Sequence, residues 1–172
     1  MRPAAGGRRP GAVMGSLVFL VLAPGTVAAW VPFRLTGWRM REPLFGVPAV
    51  RVVGAGLIVA GVLSLLESLA RFAFVGLGTP APVAPPTSLV VSGQYRYVRN
   101  PMYVAVVACV LGQGLVLASG MLLRYAAVLW LLFHLFVVLY EEPRLEAKFG
   151  GSYEAYRRRV RRWLPSAKAR PG

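Results

Sequence analysis

Residues 101–140 read PMYVAVVACVLGQGLVLASGMLLRYAAVLWLLFHLFVVLY, an apolar run broken by one formal charge, Arg124. A bilayer's hydrocarbon core takes about 20 helical residues to cross. This run is too long for one crossing, and Ala118-Ser119-Gly120 supplies turn residues near its middle. The pattern predicts two helices, 101–118 and 120–140, folded into a tight hairpin, with Arg124 snorkelling to an interface. Ala105, Cys109 and Gly112 recur at helical spacing and form a small-residue stripe that lets a neighbouring helix approach closely.

Upstream of the hairpin lie two more candidate crossings. Residues 11–33 carry no charge, and residues 46–75 are interrupted by Arg51, Glu67 and Arg71. The first run has a rival reading as a secretory signal, because arginines precede it and Val27-Ala28-Ala29 resembles a cleavage site. Its apolar stretch continues through Trp30 to Phe33, which favours a retained helix. The fold expected is all-α: a single polytopic membrane domain over 1–172 with about four transmembrane helices. A hydrophobic content of 56% and a mean hydropathy of +0.58 exceed what one soluble core of 172 residues requires. The single cysteine, Cys109, excludes an intramolecular disulfide and reads as packing.

The formal charge of +14 admits a nucleic-acid partner, but the basic residues lie between and after apolar runs, where anionic lipid headgroups are the simpler partner. Three basic residues precede the first run, three lie between the second and third, and nine follow the last, against five in the opposite loops. The positive-inside rule then places both termini and the 76–100 loop in the cytoplasm. The arginine-rich, lysine-poor composition points to a GC-rich bacterial genome, and hence to the inner membrane. Nothing in the sequence specifies an oligomeric state.

Two segments on that cytoplasmic side stand out. Pro80, Pro82, Pro85 and Pro86 exclude a helix there and favour an extended path, either a wall over a site or a plain connector. The tail, 141–165, places Tyr153, Tyr156, Val160 and Trp163 at helical spacing among Arg157, Arg158, Arg159, Arg161 and Arg162. That pattern predicts an amphipathic helix lying on the membrane surface.

Soluble-site signatures are absent: the sequence holds no G-x-x-x-x-G-K-[ST], H-E-x-x-H or G-x-S-x-G, and one histidine with one cysteine makes a protein-built zinc site improbable. Gly54-Ala55-Gly56 lies within a span and reads as helix packing. The remaining polar groups converge where helices meet the cytoplasm. His134, Val138, Glu141 and Leu145 share one helical face, and Glu141-Glu142 emerge together opposite Tyr95, Arg96, Tyr97, Arg99, Asn100 and Tyr103. Glu67 and Arg71, four apart, read first as an ion pair along one helix face, although ionisable residues within a membrane span also raise a functional role. His134 alone reads as a hydrogen-bonded core residue.

The run Tyr95-Arg96-Tyr97-Val98-Arg99-Asn100-Pro101-Met102-Tyr103, followed by Glu141-Glu142-Pro143-Arg144-Leu145, Phe149-Gly150, Tyr153, Tyr156, Arg157 and Trp163-Leu164-Pro165, resembles the isoprenylcysteine carboxyl methyltransferase family and the broader phospholipid-methyltransferase-like group. The likeness covers residues 93–165. It implies S-adenosylmethionine as cofactor, bound on the cytoplasmic side, and a small or lipid-like hydrophobic acceptor, a carboxylate, thiol or amine. Carried over by position, Tyr95, Arg99, Asn100, Pro101, Tyr103, Glu141, Glu142, Tyr153, Tyr156 and Arg157 bind the cofactor; Tyr97 and His134 join the expected cofactor-binding set from their own placement beside these residues, with Glu141, Arg99 and Asn100 nearest the chemistry and no metal. Glu141 would pair with the cofactor's ammonium, Arg99 or Arg157 would hold its carboxylate, and Tyr97 and Tyr103 would flank the adenine or ribose. Many relatives carry histidine where this chain has Asn100, and asparagine cannot carry a proton near neutral pH. Membrane sterol and steroid reductases share a similar C-terminal motif and use NADPH, which gives a second enzyme class, and a non-enzymatic membrane scaffold subunit is the third reading.

Overall fold

The computed structural model describes residue 18 and residues 21–71 and 89–166; the proline-rich segment 80–86 and both extreme termini lie outside the described residues. Among those described, the chain is helical, with one isolated bridge, Val98 to Arg161, in place of any sheet. The elements are α1 (Val21–Trp30), wound with π spacing and continuing into α2 (Val31–Thr36), then α3 (Ala49–Arg71), α4 (Pro101–Val116), α5 (Gly120–Phe136), a π turn (Val137–Glu141), α6 (Glu142–Phe149) and α7 (Gly151–Arg159).

The core is the face shared by α3 and α4. Gly54 and Gly61, seven apart, meet Ala105, Cys109 and Gly112. A Cβ on Gly54 would lie 2.7 Å from the Gly112 carbonyl, and one on Gly61 would lie 2.6 Å from Cys109 Sγ. Contact between backbones at that distance is open only to the smallest residues. The stripe read from the sequence is thus the seam of the fold, and its partner is α3. Leu65, Leu69, Met102, Val106, Val110, Ala126 and Leu129 fill the space beside it.

α4 and α5 fold back on each other through 117–119. Ala118 takes a left-handed conformation (φ 51°), and Ser119 Oγ accepts the Leu122 N–H at 3.4 Å, capping α5. α1 docks through backbone carbonyls that a proline has freed. Pro32 has no N–H to give to positions four or five back, and there Ala28 O accepts from Gln113 Nε2 at 2.7 Å and Val27 O from Tyr125 hydroxyl at 3.0 Å. Within a bilayer such groups must find partners inside the protein.

Ala49–Arg71 and the continuous helical stretch Gly120–Phe149 are long and apolar enough to cross a membrane; Pro101–Val116 is apolar but shorter. Less than a quarter of either long segment is buried within the protein. Val52, Val59, Leu63, Leu131, Leu132 and Leu139 instead face outward, as suits helices solvated by acyl chains.

The tail differs from the single helix expected over 141–165. Pro143 removes a helical donor, and just before it the chain widens so that the Glu142 N–H donates to Val137 O, five residues back. Gly150, at φ 50° and ψ −128°, then ends α6, and α7 stops at Arg159 because Val160 is extended. Val160 and Trp163 therefore leave the face that carries Tyr153 and Tyr156.

Candidate active site

Three elements converge at one end of the α3/α4 pair: the 89–100 loop with the first turn of α4, the π turn leading into α6, and the tail. The loop is seated by Gly93, whose φ of 60° suits glycine and whose hydrogen faces the Glu67–Arg71 pair, itself joined at 2.8 Å. A Cβ there would lie 2.1 Å from Glu67 Oε1. Next to it Gln94 Oε1 accepts from the Ser64 hydroxyl at 2.5 Å, tying the loop to α3. Pro101 then opens α4 at its first turn, where a missing N–H costs nothing.

Two carboxylates take different partners. Glu141 Oε2 accepts from the Tyr103 hydroxyl at 2.9 Å. Glu142 is buried and held by two arginines: Arg99 Nη1 lies 3.0 Å from Oε1, while Arg162 forks onto the same carboxylate, Nε to Oε1 at 2.7 Å and Nη2 to Oε2 at 2.9 Å. The Arg99 side chain is 10% exposed, touches Tyr153 hydroxyl at 3.4 Å, and has a buried Nε–H with no acceptor among the described residues. Two guanidiniums thus share one carboxylate beside that unpaired donor.

Tyrosines line the cluster. Tyr156 hydroxyl donates to the Tyr95 carbonyl at 2.7 Å, and both Tyr95 and Tyr153 are buried. Burial pushes the Tyr95, Tyr153 and Tyr156 hydroxyls above the ordinary phenol range, so they remain neutral donors; Glu142 adds to the shift at Tyr153 and Arg99 opposes it. Hydrogen bonding to Glu142 raises Arg162 further, keeping it charged.

The structure thus brings together Tyr95, Arg99, Asn100, Pro101, Tyr103, Glu141, Glu142, Tyr153 and Tyr156. Tyr97 is half exposed and contributes its backbone carbonyl, which accepts from Ser166 N–H at 2.8 Å. His134 is engaged by Trp163, whose Nε1 donates to Nδ1 at 3.1 Å, with Trp130 stacked 5.4 Å away. Arg157 is exposed and pairs with Glu146 at 3.4 Å. Sequence reading did not single out Arg162, one of five arginines within six residues. No local signal distinguishes it: α7 has already ended at Arg159, and the extended chain from Val160 carries Arg162 back to Glu142.

Residues 49–152, which span α3 to the start of α7 and so carry the 89–100 loop and the π turn but not Tyr153, Tyr156 or Arg162, match the phospholipid methyltransferase family. The chain belongs to the phospholipid methyltransferase family. A relative from Schizosaccharomyces pombe, named Protein-S-isoprenylcysteine O-methyltransferase, is 38% identical over 78 residues, which is 45% of this chain and 33% of that protein. The matched part is thus about a third of that relative's length. No solved structure matches the chain. Membership of the phospholipid methyltransferase family, together with two bilayer-length apolar helices, makes this a membrane protein. The isoprenylcysteine-type resemblance read from the motifs agrees with both matches.

Proposed function

We propose that the protein is an S-adenosylmethionine-dependent methyltransferase acting on a small or lipid-like hydrophobic acceptor at the cytoplasmic face of the bacterial inner membrane. In this reading the chain crosses four times, through α1 with α2, α3, α4 and α5, with both termini cytoplasmic. The exposed Arg157, Arg158, Arg159 and Arg161 then face anionic headgroups from an amphipathic tail. The observation that carries the proposal is the nearly buried Arg99 guanidinium with its unpaired Nε–H, beside a carboxylate pair only one of whose members is neutralised by arginine.

That donor set suits the amino-acid end of the cofactor. Glu142 is saturated by Arg99 and Arg162, so it serves as the anchor, and Glu141, held among the described residues by Tyr103 alone, takes the ammonium. Arg99 offers its free Nε–H to the carboxylate. When bound, the cofactor supplies an electrophilic methyl group on a sulfonium. The chain's contribution is to orient that group and the acceptor within reach, about 3 to 3.5 Å between reacting atoms, and to exclude water. A carboxylate or thiolate acceptor needs no strong base, consistent with tyrosines that stay protonated. The relative's name makes a lipid-modified cysteine one acceptor to assay.

The test is titration of purified protein with S-adenosylhomocysteine and, separately, with NADPH. Wild type is expected to bind the first and not the second, and Glu141→Gln and Arg99→Ala to weaken binding by about tenfold or more, the loss of one charged hydrogen bond. Unchanged affinity in both variants contradicts the residue roles. NADPH binding alone supports the reductase reading, and no binding of either supports a scaffold.

A further inference from the structure

Asn100 stands immediately before α4, where an asparagine side chain ordinarily accepts from an N–H of the first turn. Here it makes no such cap. Its Nδ2 donates instead to Arg162 O at 3.2 Å, and the residue is buried. The same stretch of tail is held along its length. Arg99 N–H donates to Arg161 O at 2.9 Å, Ser166 N–H to Tyr97 O at 2.8 Å, and Arg161 N–H to Ser166 Oγ at 2.9 Å. Val98 and Arg161 pair as a parallel bridge. Arg162 forks onto Glu142, and Trp163 reaches His134 on α5.

We propose that residues 160–166 form a clasp and that Asn100 and Arg162 are positioning residues, setting Arg99 and Glu142 in place without touching cofactor or acceptor. The clasp joins the two elements that carry the site, the start of α4 and the end of the π turn. Arg162 holds Glu142 from one side so that Arg99 meets it from the other, and Asn100 fixes the Arg162 backbone so that its guanidinium reaches. This role asks of residue 100 one N–H donor and no proton transfer. Asparagine meets it, and so would histidine, whose Nδ1–H lies near the position of the asparagine Nδ2. The inference rests on the proposed methyl transfer only for its kinetic readout.

The experiment compares full-length wild type with Asn100→Ala, Asn100→His and Arg162→Lys in detergent. Amide hydrogen exchange of residues 97–100 and 160–166 is measured without ligand, and then the kinetics with S-adenosylmethionine. Loss of the hydrogen bond in Asn100→Ala is expected to speed exchange at Arg99 and Ser166 about tenfold. It should also raise the cofactor KM about tenfold while kcat at saturation stays within about twofold, and Asn100→His should restore both. Arg162→Lys, which keeps the charge and loses the fork, should act in the same direction should Asn100→Ala fail to fold. Exchange unchanged in Asn100→Ala and Arg162→Lys overturns the clasp. A collapse of kcat with KM unchanged overturns the positioning role and makes Asn100 catalytic. Absence of methyl transfer by wild type would count against the proposed function, and the exchange data would still decide the clasp.

Discussion

The tail uses arginine in two ways within a few residues. Arg162, with Arg99, meets Glu142 at 2.7 to 3.0 Å on a carboxylate whose side chain is 9% exposed. Arg157 and Arg158 meet Glu146 and Glu154 at 3.4 and 3.7 Å, with side chains 43 to 76% exposed. Water screens the second pair of contacts and leaves them worth little, whereas the first group, taken out of water, is stable only while every member is present. A count of charges along the tail cannot separate the two, because what separates them is where the chain turns.

Removing the buried acceptor should have the largest effect. Glu142→Gln leaves Arg99 and Arg162 without a counter-charge, and a loss of about 3 to 5 kcal/mol is expected, read as a large drop in thermal stability in detergent. A stability near that of wild type would place both arginines in water and abolish the contrast. The half-covered Glu67–Arg71 pair lies between the extremes, and Gly93 probes it. Gly93→Ala imposes a strained φ and displaces Glu67, for about 1 to 3 kcal/mol, and should loosen the 89–100 loop to proteolysis. Arg157→Ala, at the exposed end, should change stability by less than about 0.5 kcal/mol and leave cofactor affinity unchanged. A loss of affinity there would move Arg157 into the site.

Much of this was legible in the sequence. The seam was, because Ala105, Cys109 and Gly112 repeat with the period of a helix and a stripe of small residues has one physical use in a bilayer. The pairing of Glu67 with Arg71 and the helix start at Pro101 were legible for the same local reason. The clasp was not, since the contacts of Arg162 with Glu142 and of Asn100 with Arg162 join residues far apart in sequence, and no local pattern encodes them. The π turn was hidden as well: the face expected to carry His134, Val138, Glu141 and Leu145 assumes a uniform helix, and Pro143 shifts the winding just where the carboxylates emerge. The surroundings of Tyr97, His134 and Arg157 were hidden likewise, because each meets a residue distant in sequence: Ser166, Trp163 and Glu146.

The central claim is that this constellation supports methyl transfer, and the direct measurement uses membranes with and without the protein, given S-adenosylmethionine labelled in its methyl group. The account predicts label in a lipid-extractable product that depends on the protein and falls about tenfold or more with Glu141→Gln. Label that is absent, or equal in Glu141→Gln and wild type, would contradict it.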